Sequence, residues 1–247
     1  MTPPETSSPE NSFTDDRLLG GRVQIRQPAN GYRVAVDPVL LAAAVSTKSG
    51  QHVLDAGCGT GAALFCLAAR VPGLDLTGLE RQGLLAAYAR GGLTLNGLDA
   101  SARILTGDLA QRATGPFDLV MTNPPFTESG TSPPDESRAA AHMESDIDLH
   151  GWIGHCLAVL KPKGRLVLIH RADRLSDILS ALAERTGDIH IRPIYGKAGQ
   201  PARRVIVDAG KDRRTPDTLL PGLALHADDG AYTAAAVAIL RDAAPLL

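Results

Sequence analysis

With 247 residues, 44% of them hydrophobic, the chain can bury one sizeable core, and it contains no run of about 18 apolar residues that would cross a membrane. A formal net charge of −2 lacks the overall basic footprint usual for nucleic-acid binders. The three cysteines, Cys58, Cys66 and Cys156, form no CxxC pair, so they carry no metal signal and fit a reduced, cytoplasmic protein.

The opening "MTPPETSSPENS" offers almost nothing to bury and lacks the basic and apolar regions of a signal peptide. A disordered acidic tail is expected over residues 1–16, carrying Glu5, Glu10, Asp15 and Asp16, followed by one domain over residues 17–247. Next, "GGRVQIRQ" reads as a short strand after a Gly-Gly turn. "DPVLLAAAVS" reads as a helix with Asp37 at its N-cap and Pro38 at its first position.

From residue 52 onward, short β-rich runs alternate with Ala/Leu-rich helix formers. The strands are expected at "HVLDA" (52–56), "LDLTGLE" (74–80), "ARILTG" (102–107), "FDLVMT" (117–122) and "RLVLIH" (165–170). Such βαβ repetition predicts an α/β fold, a doubly wound and mostly parallel sheet covered by helices. The last two runs, "DIHIRPIY" (188–195) and "ARRVIVDA" (202–209), are too close together for a parallel crossover and must pair as an antiparallel hairpin. An antiparallel strand at the end of the sheet is unlike the usual dinucleotide-dehydrogenase arrangement.

Three stretches carry chemistry. In "DAGCGTGAA" (55–63), Gly57, Gly59 and Gly61 follow the first strand of the series and open a helix, so backbone and helix N-terminus can approach a ligand closely. Glu80, at the end of the next strand, is placed to accept both hydroxyls of a ribose. The spacing also satisfies GxGxxA, which suits a nicotinamide cofactor equally well. Asp55 before the loop and Asp108 in "TGDLA" tip the balance, because acids suit a ligand with an ammonium group and an adenine amino group and would repel a pyrophosphate. Each acid also has a bland reading as a turn or helix cap. Cys58 reads as a small neighbour of the ligand.

The second stretch is "NPPF" (123–126) at the carboxyl end of a strand, where open α/β sheets bind ligands. Pro124 and Pro125 stiffen the backbone and offer carbonyls without N–H groups, while Asn123 adds an amide oxygen. Two such acceptors can hold the hydrogens of a planar NH2 and leave its lone pair aimed at an electrophile, with Phe126 stacked on the ring that carries it. The third is the basic excess over residues 192–214, Arg192, Lys197, Arg203, Arg204, Lys211, Arg213 and Arg214, which either meets phosphate or protects a solvated hairpin edge. Tyr32 and Asp37, together with Arg203 and Arg204, are the substrate-binding candidates. Trp152, at helical spacing with Ile153, Cys156 and Leu157, reads as core, and the long connection from Thr127 to Asp148 as a functional or disordered loop.

In this order, "DAGCGTG", "GLE", "GD" and "NPPF" resemble the class I S-adenosylmethionine-dependent methyltransferases that methylate amino groups. The phrases "YRVAVDPVLLAAA", "LVLIHRADRLSDI" and "DGAY" resemble, within that class, the bacterial tRNA-Val adenine N6-methyltransferases. The resemblance implies a seven-stranded sheet ending in an antiparallel hairpin strand and S-adenosyl-L-methionine as cofactor. It also implies N6-methylation of an unpaired anticodon-loop adenine in tRNA. It assigns Asp55 and the glycine loop to the methionine part, Glu80 to the ribose, Asp108 to the adenine of the cofactor, and Asn123 and its neighbours to the target base. The chain departs from the family after NPPF, where "SRAAAHMES" displaces Arg138 and His142 relative to each other. A protein glutamine amide or a small molecule as acceptor, an NAD-dependent oxidoreductase and a non-catalytic RNA-binding module are the competing readings.

Overall fold

In the computed structural model, residues 12–30, 33–112, 115–125 and 148–246 are described. Tyr32, Phe126, Arg138 and His142 lie outside them.

The expected strands form one mixed sheet. In chain order its central members are β3 (His52–Ala56), β4 (Asp75–Glu80), β5 (Ala102–Thr106), β6 (Phe117–Thr122), β7 (Leu160–Arg171), β8 (Thr186–Lys197) and β9 (Ala202–Lys211). Across the sheet these run β8-β9-β7-β6-β3-β4-β5, parallel except for β9, which is antiparallel to both β7 and β8. The hairpin deduced from the short 196–201 connection is therefore present. Among the described residues the sheet has nine strands rather than seven, because β10 (Thr218–Leu219) and β11 (Leu223–His226) pair parallel with the outer edge of β8. At two and four residues, these strands are too short to show an alternation.

Strands buried on both faces read as continuous apolar runs, and here successive residues serve opposite cores. Val53, Leu119, Met121, Val167 and Ile169 face a cluster with α1 (Asp37–Ala44), α2 (Ala62–Arg70), α3 (Gly83–Leu95) and α7 (Ala234–Asp242). Leu54, Ala56, Val120, Leu166 and Leu168 face the other, with α5 (Leu149–Ala158) and α6 (Leu175–Leu182). The short α4 (Leu109–Arg112) follows β5. Among the described residues, no helix is long and apolar enough to cross a membrane.

Two expectations about the N-terminal region are corrected. Residues 13–16 are not tail: they open β1 (Phe13–Leu18), which pairs antiparallel with β2 (Val23–Pro28). Their acids are partners across this hairpin. Asp15 takes a two-pronged pair from Arg26, at 2.9 Å from both Nε and Nη2, and Asp16 pairs with Arg33 at 2.7 Å. Asp37 is also not the cap of α1. Val36 holds that position without a side-chain bond, and the Asp37 carboxylate accepts instead from Arg204 Nε at 2.8 Å.

Candidate functional site

The carboxyl ends of β3, β4, β5 and β6 lie side by side, so the loops that follow them meet at one edge of the sheet. After Ala56 the glycine turn folds back onto β4. Gly57 and Cys58 donate to the Leu79 carbonyl at 2.8 and 3.0 Å, and Gly59 donates to Glu80 Oε2 at 2.9 Å. Gly57 and Gly61 have φ of +72° and +87°, left-handed values that side chains avoid. A Cβ on Gly61 would come within 2.5 Å of Phe65, and one on Gly57 within 3.1 Å of the Trp152 ring. Gly61→Ala therefore combines backbone strain with overpacking and is expected to cost about 3 kcal/mol in urea denaturation. Gly59→Ala, with open space around it, is expected to cost about 1 kcal/mol. Equal losses for the two would contradict this packing.

Glu80 is nearly buried, and its Oε1 accepts from Gln82 N–H at 2.8 Å while Oε2 holds Gly59. Each oxygen keeps a lone pair for a hydroxyl. Asp108 shows the cap geometry, with Oδ1 accepting from Ala110 N–H at 2.7 Å. Its Oδ2 stands 4.0 Å from Arg81 Nη1.

Asp55 is 2% exposed. Burial first, and then the charge of Glu80, push its carboxyl up to about 7, against a hydrogen bond from the Leu64 backbone that holds it down. The Cys58 thiol is raised well above its ordinary value, chiefly by burial and next by the Asp55 and Glu80 charges, so it is no nucleophile.

Buried polar atoms in native structures nearly always have a partner. At this edge three have none among the described residues: Asp55 Oδ2, Thr60 Oγ1 and Asn123 Oδ1. A polar ligand with donor groups would satisfy all three, and a positive one would relieve the repulsion between Asp55 and Glu80. The residues thus fit an ammonium- and ribose-bearing cofactor. No group of three His, Cys, Asp or Glu side chains suited to a metal is found among the described residues.

Asn123 and Pro124 sit directly beyond β6, Pro124 buried and Pro125 exposed. Arg203 and Arg204 reach the same edge because β9 runs antiparallel, which puts Arg204 level with Arg171 at the end of β7. Arg204 is joined to Asp37, so two substrate candidates are brought together, two strands away from Asn123 in the order β6-β7-β9. The rest of the basic segment is largely consumed internally. Arg192 donates to the Pro221 carbonyl, Lys197 to Asp228, Lys211 to Leu157 and Leu160, and Arg213 to Lys163. A cleft of about 520 Å³ opens at the opposite edge, between Arg185 and Asp217; Arg213 and Arg214 of the basic segment line it, and no residue of the glycine turn or of Asn-Pro-Pro does.

Thr60 and Thr122 carry no motif signal in the sequence, and the helical spacing of Trp152 predicts core. The Trp152 indole is only partly buried, and its Nε1–H donates to Thr122 Oγ1 at 3.0 Å, so it is not simply core.

Residues 34–189 match the family model described as methyltransferase small domain. The chain belongs to this family. A curated relative from Porphyromonas gingivalis, named tRNA1(Val) (adenine(37)-N6)-methyltransferase, is 35% identical over 167 residues, covering 64% of this chain and 66% of that protein, just short of two thirds. A relative of the same name from Aeromonas hydrophila is 25% identical over 205 residues, covering 81% of this chain and 85% of its own. Among solved structures, a protein from Agrobacterium tumefaciens described as a predicted O-methyltransferase superposes with a TM-score of 0.67 at 27% identity, covering 82% of this chain and 94% of that one. The matched residues thus take in β3 to β7, among them the four strands whose carboxyl ends meet at this edge.

Proposed function

We propose that the chain methylates the N6 amino group of an adenine in tRNA, using S-adenosylmethionine. The observation that carries this reading is the buried Oδ1 of Asn123 at the end of β6, without a partner among the described residues and beside the acid-lined glycine turn. The names of the tRNA-modifying relatives supply the substrate class.

In this reading Asp55 would face the ammonium group of the cofactor, Glu80 the ribose hydroxyls and Asp108 the adenine amino group, through the oxygen that stands 4.0 Å from Arg81. When bound, the cofactor would supply an electrophilic methyl to N6 and depart as a neutral thioether, with one N6 proton passing to solvent. Asn123 Oδ1 and the Pro124 carbonyl accept the two N6–H bonds and hold the lone pair toward the methyl. These acceptors strengthen as the nitrogen gains positive character, so they favour the transition state over the ground state. An anticodon-loop adenine is already unpaired, and extruding it costs little. Phe126, Tyr32, Arg203 and Arg204 are assigned to the base and the tRNA backbone.

The deciding experiment incubates the chain with radiolabelled S-adenosylmethionine and total tRNA lacking the modification, followed by nucleoside analysis. Label in N6-methyladenosine is the expected result. Cofactor binding with unlabelled tRNA would move the reading to a protein or small-molecule acceptor, and binding of NAD in its place would overturn it.

A further inference from the structure

Resting on the methyl-transfer reading, we propose that Trp152 is a positioning residue, a strut that sets the glycine turn against Asn123 and so fixes the approach of donor methyl to acceptor amine. The indole projects from α5, whose start is pinned by Asp148 accepting from Gly151 N–H at 2.7 Å. It makes two contacts of different kinds. Its ring edge lies over Gly57, where a Cβ would meet Cη2 and Cζ2 at 3.1 Å. Its Nε1–H donates to Thr122 Oγ1 at 3.0 Å, and the Thr122 hydroxyl donates to the Ala56 carbonyl at 2.7 Å.

Ala56 and Thr122 are register partners on β3 and β6, and both are fully buried. Each is the last residue before a loop of the site, Ala56 before Gly57 and Thr122 before Asn123. The register pairs between these two strands end there, and the glycine turn beyond bonds to β4, at Leu79 and Glu80, which leaves the Trp152–Thr122 contact to tie it to the end of β6. The Thr122 hydroxyl has a single proton, spent on Ala56, and needs a donor for its own lone pair; an indole offers a donor and no acceptor. The chain Trp152–Thr122–Ala56, closed by the ring on Gly57, therefore ties both loops to one helix. A misplacement of about 1 Å between reacting groups costs on the order of 100-fold in rate, so such a strut acts on turnover rather than on ground-state affinity.

The chain has one Trp, so a single indole N–H resonance reports this residue. Trp152→Phe keeps a ring and removes the donor, and Thr122→Val removes the acceptor at nearly constant shape. With tRNA and S-adenosylmethionine, each is expected to lower kcat roughly 10- to 50-fold while KM for the cofactor stays within about threefold. Thr122→Ser should restore turnover, and the double variant should be no worse than the weaker single one. Wild-type turnover in Trp152→Phe, an effect confined to KM, or losses that multiply in the double variant would each overturn the assignment. In the free protein the indole resonance should move in Thr122→Val, a result independent of any substrate. Adding S-adenosylmethionine to the wild type should move it too. No movement despite binding measured by calorimetry overturns the strut, whereas no binding at all overturns the methyltransferase reading instead.

Discussion

Asn123→Ala is expected to lower kcat for methyl transfer by about 10²- to 10³-fold, with cofactor affinity changed by no more than a few-fold. That loss corresponds to about 2.7–4 kcal/mol of transition-state stabilisation, the scale on which one preorganised acceptor or donor acts in a water-excluded site. The substitution should leave folding intact or improve it. Asn123 Oδ1 is buried with no partner among the described residues, and an orphaned buried acceptor costs about 1–3 kcal/mol. Removing it relieves that cost while destroying the function that justified it, the expected signature of a site residue as opposed to a packing residue. The measurement pairs single-turnover rates with thermal unfolding. A variant that lost stability and kept its rate would show that Asn123 merely ends a strand.

The second large effect is on pH. Asp55 is pushed up to about 7 from an ordinary 3.8, first by burial and then by Glu80, so in the free protein it carries its proton over the weakly acidic range. An acid whose folded value is raised stabilises the fold fully only below its unfolded value. As pH rises from about 4 to 7 the unfolded chain gives up this proton before the folded one does, and stability falls by about 4 kcal/mol from this group. A ligand ammonium inverts the relation because it requires the ionised carboxylate. S-adenosylmethionine binding should therefore weaken by up to about tenfold per pH unit below about 7, with release of close to one proton on binding near pH 6. Isothermal calorimetry in buffers of different ionisation enthalpy counts that proton. Asp55→Asn should flatten the profile, bind the cofactor more weakly at pH 8 and melt at a higher temperature without it, because the buried charge is gone. An unchanged pH profile in Asp55→Asn would remove this carboxylate from the cofactor site.

Both effects fall on residues that local sequence logic can pick out. Gly57, Gly59 and Gly61 between an apolar run and a helix former, an acid ending the next strand, and Asn-Pro-Pro ending another are patterns whose physical reasons lie within a few residues of each other. The parallel strands were legible because burial on both faces demands unbroken apolar runs, and the hairpin because six residues cannot carry a crossover. Even the ambiguity of Asp108 was real, since its two oxygens have different neighbours, the Ala110 amide and Arg81.

What the sequence determined by itself, then, is the order and type of the main elements and which polar residues stand at the ends of β3, β4, β5 and β6, since propensity, periodicity and turn chemistry act over short spans. Tertiary structure alone decided the rest, because those interactions join residues that share no local pattern. Arg204 reaches Asp37 across 167 positions and takes it from its expected cap. Asp15 and Asp16, in a segment too polar to predict as folded, are held by Arg26 and Arg33 across a hairpin. β10 and β11 are too short to form except on the edge that β8 provides. The helical spacing of Trp152 is the spacing of a core residue, and only the packing of α5 against the ends of β3 and β6 turns its indole toward Thr122 and Gly57.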